Sequence, residues 1–167
     1  ASGERIRSRK LLLATGVADR HVAESSIVIE YLDVHHPGAR PMLPADAEVR
    51  LAARLWDRLF DDYVSASVQK IVLDRLRADT DSDRQGVEQA RGTLTTAYAM
   101  IERQVAGKSW AVWDDFTLAD CSAAPALFYA GIVHPFPAEH VALHAYFERL
   151  MARPSIARVI AEARPYF

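Results

Sequence analysis

The spacing of apolar residues in the second half of the chain is the feature that most constrains its fold. Between residues 87 and 105, apolar side chains recur every three or four positions, as a helix with one buried face requires. The members of this stripe are Val87, Ala90, Leu94, Tyr98, Ile101 and Val105. The pattern predicts a long helix that packs on other helices and stops at Gly107.

The same spacing extends over most of the neighbouring sequence. From Asp46 to about Arg77 it predicts either one long helix or two helices joined at a bend near residues 65–67. Two shorter helices follow, one over residues 139–151 and one that starts at Pro154, a residue suited to the first helical turn. The second part of the chain is therefore expected to be a helical bundle.

The first part of the chain follows other patterns. Residues 10–23 read as two short strands around a turn, and the residues from Glu24 to Asp33 have helical spacing. A stretch with three prolines and no period comes next, which is typical of a linker. The predicted fold is mainly α, with a β-hairpin and a helix in residues 1–34, a linker at 35–46 and an all-α domain over 47–167.

Composition excludes several classes of function. The 167 residues carry a net charge of −2 with both signs interspersed, so we expect no binding to nucleic acid or to an anionic membrane. No apolar run approaches the roughly 18 residues that span a bilayer, and the basic start of the chain lacks a clear cleavage site for an export signal. The single cysteine, Cys121, cannot form an internal disulfide, which suits a reducing cytoplasm.

The segment "WDDFTLADCSAAPALFYAG" predicts a capped helix that starts at Leu118. Thr117 precedes an apolar run and Asp120 lies three positions later, which is the spacing of a capping box. In such a box each side chain accepts a hydrogen bond from the other residue's backbone N–H. We interpret Thr117 and Asp120 as a structural cap, and Cys121 as a small core residue.

The sequence contains few other candidate metal-binding or ligand-binding residues. His140 and His144 have the spacing of two metal ligands on a helix, but no third ligand is near, so a solvated face is the favoured interpretation and no metal site is expected. Trp56, Phe60 and Tyr63 form an aromatic stripe, which is either plain core or the wall of an apolar pocket.

The pair Glu24–Ser25 stands where the first short helix begins. Serine is a common N-cap, so Ser25 could merely cap this helix. Alternatively, the open N–H groups of the helix could hold a carboxylate of a small ligand, with the Ser25 hydroxyl assisting. Val28 follows Ser25 after three residues, so Ser25 lacks the acidic partner of a capping box.

Several stretches in a fixed order resemble the cytosolic glutathione transferases, bacterial type. They are "ES" at a helix start, then "IEYLD", a proline-rich linker that ends "MLPAD", a long helix with "RLWD", and finally "FTLADCSAAPAL". The resemblance implies a thioredoxin-like lobe that binds glutathione and a complete helical lobe that binds a small hydrophobic electrophile. It also implies a homodimer.

The resemblance assigns roles to residues of this chain. Glu24 and Ser25 match the pair that holds the γ-glutamyl end of glutathione, the cosubstrate. Trp56, Phe60 and Tyr63 lie on the helix that lines the electrophile pocket in the family. The implied reaction joins glutathione to a small electrophile, as in detoxification, or reduces a peroxide with it.

Two family features have no counterpart before Glu24. These are the Tyr, Ser or Cys that activates the sulfur of glutathione, and the proline before the "ES" strand. We therefore expect a partial thioredoxin-like segment, and the catalytic residue stays unassigned. The alternative function is a non-catalytic helical module that keeps the fold for binding partners.

Overall fold

The computed structural model describes residues 22–166, and the chain divides into two units with the boundary between Leu43 and Pro44. In the first unit, helix α1 spans Ser25–His35 and buries Val28. The Leu43 N–H donates to Asp33 Oδ2 at 2.9 Å, which ties the segment after α1 back to the helix. The predicted hairpin at 10–23 lies almost wholly outside the described residues and, like the predicted domain boundaries, stays a prediction.

The described part of the second unit consists of helices joined by loops. Helix α2 (Ala47–Leu59) continues through a π-helical segment (Phe60–Ser65) into α3 (Ala66–Arg75) without a break. The others are α4 (Arg84–Val105), α5 (Leu118–Val133), α6 (Val141–Ala152) and α7 (Pro154–Ala163). Short 3₁₀ turns cover Asp79–Asp81 and Arg164–Tyr166. Counting Ala47 to Arg75 as one helix, residues 22–166 contain six helices and no β-strand, so the mainly α prediction is confirmed there.

Capping explains where the long first helix of this unit begins. The Asp46 carboxylate accepts the N–H groups of Glu48 and Val49 at 3.0 and 2.9 Å, as an N-cap aspartate does. The sequence predicts either one long helix or two helices joined at a bend near residues 65–67, and the structure has the one long helix, with a wider π-helical turn over Phe60–Ser65. There the Ala66 N–H donates to the Asp61 carbonyl, the i→i−5 bond of a π-helix, so the helix passes through the region unbroken.

Helix α5 is the centre of the unit, and it packs against α2, the π-helical segment, α3 and α6. Small residues allow this close approach because they leave room for the neighbouring backbones. The buried alanines of α5 are Ala119, Ala123, Ala124, Ala126 and Ala130. Ser122 Oγ also donates to the buried carboxylate of Asp57 on α2, which adds a polar link between two core helices.

The start of α5 is held by a fully buried carboxylate. Thr117 and Asp120 form the predicted capping box, with the Thr117 N–H donating to Asp120 Oδ2 at 2.8 Å. Asp120 has further donors that the sequence pattern did not indicate. Its Oδ1 accepts the Ala111 N–H at 2.8 Å and the Tyr146 hydroxyl at 2.7 Å. One side chain therefore joins the loop before α5, α5 itself and α6.

The Tyr146 hydroxyl is suited to remain a donor to this carboxylate. Burial, with the adjacent negative charge of Asp120, raises the pKa of Tyr146 well above its ordinary value. The phenol thus stays protonated at every pH where the protein works. Because a buried charge is costly unless hydrogen bonds replace its water, each of these neutral donors matters for stability.

We predict that Asp120→Ala lowers the free energy of unfolding by at least about 3 kcal/mol. The substitution leaves several buried donors without an acceptor, and each costs about 1–3 kcal/mol. Tyr146→Phe removes one donor and should cost about 1 kcal/mol. Urea unfolding measures both, with Asp114→Ala as a control because Asp114 is exposed on the same loop. Equal effects of Asp120→Ala and Asp114→Ala would contradict the central role of Asp120.

The C-terminus of α5 is tied to α4 by a second polar cluster. The Tyr98 hydroxyl donates to the His134 carbonyl at 2.7 Å, and Thr95 Oγ1 lies 3.1 Å from His134 Nε2. Partial burial and the charge of Arg91 lower the pKa of His134 below its ordinary 6.5, while Glu88 opposes the shift.

The lowered pKa makes stability depend on pH. Below about pH 6.5 the unfolded chain binds a proton at His134 more readily than the folded chain does. The contribution of His134 to the free energy of unfolding is therefore fully present above pH 6.5, and it is lost as the pH falls through the pKa of the folded state. We expect wild type to lose more stability between pH 7.5 and pH 5 than His134→Gln does. Urea titrations at the two pH values measure this, and parallel losses in both proteins would refute it.

Candidate functional site

The start of α1 has no side-chain cap. Glu24 is the N-cap residue, Ser25 is the first helical residue, and no side-chain hydrogen bond caps the helix. The interpretation of Ser25 as the cap is therefore wrong, because Ser25 lies one position past the cap. Both side chains are exposed. A helix terminus of this kind presents N–H groups and partial positive charge to an anion.

The backbone of Glu24 is strained. Its φ of 70° lies in the left-handed region, and Glu24 is the one non-glycine residue with positive φ within residues 22–166. The Val28 N–H still donates to the Glu24 carbonyl at 2.9 Å, so the strain does not come from a broken helix start. Strained positions of this kind cost about 1–3 kcal/mol and cluster at ligand sites. The strain thus marks Glu24 as a candidate site residue independently of its residue type.

The second unit contains a cleft of about 580 Å³ between α2 with its π-helical segment and α4. Trp56, Phe60 and Tyr63 all line it, together with Leu59, so the structure brings the predicted aromatic residues onto one surface. The rings of Trp56 and Phe60 are 5.9 Å apart and tilted by 47°. Phe60 is fully buried at the floor, whereas Tyr63 is 52% exposed. Phe60 thus belongs to the core as well as to the cleft.

Helix α4 supplies the opposite wall, which sequence reasoning missed. Its lining residues are Gln89, Gly92, Thr93, Thr96, Ala97, Met100 and Ile101. Single residues or adjacent pairs recur here every three or four positions, so they form a face that lies next to the buried stripe of α4 and shares Ile101 with it. The helical spacing of these residues is the sequence signal that could have indicated this wall. Because the face mixes polar and small residues, it has no apolar periodicity that would make the signal visible.

The cleft wall is electrically neutral. None of the eleven lining residues carries a charge. The hydroxyls of Thr93 and Thr96 donate to the carbonyls of Gln89 and Gly92 at 3.0 and 3.1 Å, so they are engaged with their own helix. The cleft is consequently suited to a mostly apolar guest that needs few polar contacts.

The remaining candidates do not form a site. His144 packs edge-on against Phe136 at 5.6 Å and its Nε2 lies 3.2 Å from the Pro137 carbonyl, so it is half-buried and the predicted solvated face is wrong. His140 is also half-buried, at the N-cap of α6. No group of three or more His, Cys, Asp or Glu residues in the described part of the chain could hold a metal ion.

The cap of α5 is out of reach of a ligand. Asp120 and Thr117 are fully buried, and their hydrogen bonds go to protein groups, so both are structural. Cys121, next to Asp120, is half-buried and not part of the core proper. None of the helices within residues 22–166 is both long enough and apolar enough to cross a membrane.

Comparison with known proteins points to one family. The family model "Glutathione S-transferase, C-terminal domain" matches residues 56–154. Glutathione transferase GST 23 of Zea mays is 33% identical over 81 residues, which is 48% of this chain and 35% of the maize protein. Since the family match covers more than half of the chain, the chain belongs to the glutathione S-transferase family through its C-terminal domain.

Solved structures agree with this assignment. A glutathione S-transferase from Methylobacterium radiotolerans, in complex with glutathione sulfonate, is 31% identical with a TM-score of 0.73, over 83% of this chain and 66% of that one. A family member from Pseudomonas fluorescens with bound S-(propanoic acid)-glutathione is 27% identical with a TM-score of 0.73, over 89% and 74%. The chain thus spans about a third to three quarters of these relatives.

We predict that Gly92→Ala stabilises the protein by about 0.5–1 kcal/mol. Gly92 lies inside α4 without a positive φ, and a Cβ there would meet no atom within 4 Å. Gly107→Ala is the matched control and should destabilise, because Gly107 has a φ of 73°. Urea unfolding measures both variants, and shifts of the same sign would show that local backbone conformation does not decide the outcome.

Proposed function

We propose that this protein is a glutathione transferase-like enzyme that joins glutathione to small apolar electrophiles. The observation that carries the proposal is the uncapped start of α1, with Glu24 and Ser25 exposed beside it. Membership of the family supports it. So do the glutathione analogues bound in the two similar bacterial proteins.

The proposed role of α1 follows from the chemistry of the γ-glutamyl group, which carries a carboxylate and an ammonium. The carboxylate accepts the N–H groups at the first turn of α1, where the helix dipole favours negative charge. The Ser25 hydroxyl donates a further hydrogen bond. The Glu24 carboxylate binds the ammonium as a charge-assisted partner. The positive φ of Glu24 supports this role, because strained backbone positions cluster at ligand sites.

The proposed electrophile site is the cleft between α2 and α4. Trp56, Phe60 and Tyr63 supply aromatic surface on one wall. In the reaction the sulfur of glutathione, as thiolate, attacks an electrophilic carbon, a C–S bond forms, and a leaving group departs with the bonding electrons. No residue of this chain is assigned the role of stabilising the thiolate.

The remaining predictions are part of the same proposal. We place the protein in the cytoplasm, because one cysteine in 167 residues indicates no dependence on disulfides. We propose a homodimer as its working form. Glutathione is the cosubstrate, and no metal is required for the proposed chemistry.

One observation favours a second function. The family match covers residues 56–154, which lie in the helical unit and leave α1 outside. A protein that uses only this unit would be a non-catalytic binding module. The two functions differ in whether α1 binds glutathione.

We predict that the 167-residue chain is retained on immobilised glutathione. We also predict that Ser25→Ala weakens glutathione binding about tenfold, because it removes a hydrogen bond to a charged group that contributes about 1.4 kcal/mol. Ser26→Ala, one residue along, is the matched control and should retain wild-type affinity. Isothermal titration with glutathione measures the constants, and conjugation of chlorodinitrobenzene measures turnover.

The outcomes separate the two functions. Retention with turnover supports the transferase. If the chain is not retained on glutathione and shows no turnover, the non-catalytic binding module is the function that remains. If Ser25→Ala and Ser26→Ala weaken glutathione binding equally, the assignment of the γ-glutamyl site to the start of α1 is wrong.

A further inference from the structure

The long helix Ala47–Arg75 has exposed leucines near both of its ends. Leu51 and Leu55 lie in α2 and are 63% and 56% exposed. Leu73 lies in the last turn of α3 and is 44% exposed, and Leu76, the C-cap residue, is 75% exposed. Single exposed leucines are ordinary, but no other helix in the described part of the chain has as many large exposed apolar residues. We call these four residues the leucine face.

The leucine face lies opposite the face by which the same helix packs into its unit. The buried residues recur every three or four positions and are Ala53, Asp57, Phe60, Val64, Ser67, Val68 and Ile71. The exposed residues recur with the same spacing and are Leu51, Leu55, Arg58, Asp62, Ala66, Gln69, Leu73 and Leu76. Since positions three and four apart share one side of a helix, the exposed residues form a continuous row, roughly 40 Å long at about 1.5 Å per residue.

This row has the same pattern in both directions. Leu51 and Leu76 stand at its two ends, Leu55 and Leu73 are the next leucines inward, and polar or small residues lie between them. A two-fold axis through the middle of the row would reverse the direction of the helix and bring each leucine of one copy against a leucine of a second copy. An interface between two identical chains requires such a self-complementary surface.

The charges beside the row favour an antiparallel arrangement of the two helices. Glu48 is exposed at the start of the helix and Arg77 is exposed just after its end. Arg77 Nη1 lies 3.8 Å from Asp74 Oδ1, which is too far for a hydrogen bond. Antiparallel helices bring Glu48 near Arg77 of the partner subunit, twice by symmetry, whereas parallel helices bring like charges together. In the middle of the row Arg58 Nε donates to Asp62 Oδ2 at 3.2 Å, so these two charges neutralise each other.

We propose that the leucine face is the interface of a homodimer in which the two long helices lie antiparallel. The inference rests on the homodimer of the proposed function, for which it names the surface and the orientation. Leu51 packs against Leu76 of the partner subunit, and Leu55 packs against Leu73 of the partner subunit. Removal of the leucines from water drives the association, and the charges beside the row set its direction.

Sedimentation equilibrium of the 167-residue chain measures the dissociation constant of the dimer. We expect Leu73→Lys to raise this constant at least about tenfold, because it places a charge in an apolar contact. Ile132→Lys is the matched control, since Ile132 is 62% exposed on α5 and lies outside the leucine face. The control should stay within about twofold of wild type. Far-ultraviolet circular dichroism checks that each variant is folded.

A charge exchange tests the contact at the ends of the row. We expect Glu48→Arg and Arg77→Glu each to raise the dissociation constant about threefold or more, because each places like charges together. The double variant exchanges the two charges and recreates both pairs, so its constant should return to within about twofold of wild type. A purely structural role of either residue within one chain would not produce this recovery.

Cross-linking tests the orientation of the two helices. In a Cys121→Ala background, which has no other cysteine, Leu51→Cys and Leu76→Cys are prepared as separate variants. After the two variants are mixed and allowed to exchange subunits, we expect a short bismaleimide to join them into a covalent dimer. Neither variant alone should give this product, because antiparallel helices keep the two copies of residue 51 at opposite ends of the interface.

Three results would overturn the inference. The first is a wild-type chain that sediments as a monomer at every concentration measured. The second is an equal effect of Leu73→Lys and Ile132→Lys on the dissociation constant. The third is cross-linking of Leu51→Cys with itself and not with Leu76→Cys. None of these measurements uses glutathione, so a dimer without conjugating activity would refute the proposed transferase alone, and an active monomer would refute the interface alone.

Discussion

The structure of the helical unit depends on the buried carboxylate of Asp120 and on the neutral groups that donate hydrogen bonds to it. Asp120 is completely enclosed, and neutral donors from three parts of the chain replace its water: the Ala111 N–H, the Thr117 N–H and the Tyr146 hydroxyl. Such an arrangement tolerates little displacement, because each donor that moves away leaves part of the charge unsolvated. The carboxylate therefore fixes the loop before α5, the first turn of α5 and the middle of α6 relative to one another.

The position of α5 in turn determines the shape of the cleft. Its small residues let α2 and the π-helical segment approach closely, and the bond between Ser122 and Asp57 holds α2 against it. The wall that carries Trp56, Phe60 and Tyr63 thus packs against α5. The π-helical turn lies in this same wall, which agrees with the general tendency of such turns to occur at functional sites.

Local interactions were predictable from the sequence, and longer-range ones were not. The start of α5 at Leu118 and the pairing of Thr117 with Asp120 followed from residues three positions apart. The bond from Tyr146 to Asp120 joins residues far apart in sequence, and no local pattern indicates it. The same holds for His144, whose contact with Phe136 depends on how α6 meets the preceding loop. The π-helical turn was missed because its residues have ordinary helical spacing.

The residues of the candidate functional site could also be predicted from the sequence only in part. The aromatic residues of one wall stood out by composition, whereas the α4 wall is recognisable only once the two helices are placed side by side. The strain at Glu24 is a property of the backbone and has no signal in residue type.

The first turn of helix α6 is hydrogen-bonded to a side chain of α4. The carboxylate of Glu102, on α4, accepts the N–H groups of Ala142 and Leu143 at 3.1 and 2.7 Å, while the N-cap residue His140 contributes no side-chain hydrogen bond. The first turn of α6 is thus completed by a group from another helix. The regular first turn of α6 therefore depends on α4, so a change at Glu102 acts on a helix to which Glu102 does not belong.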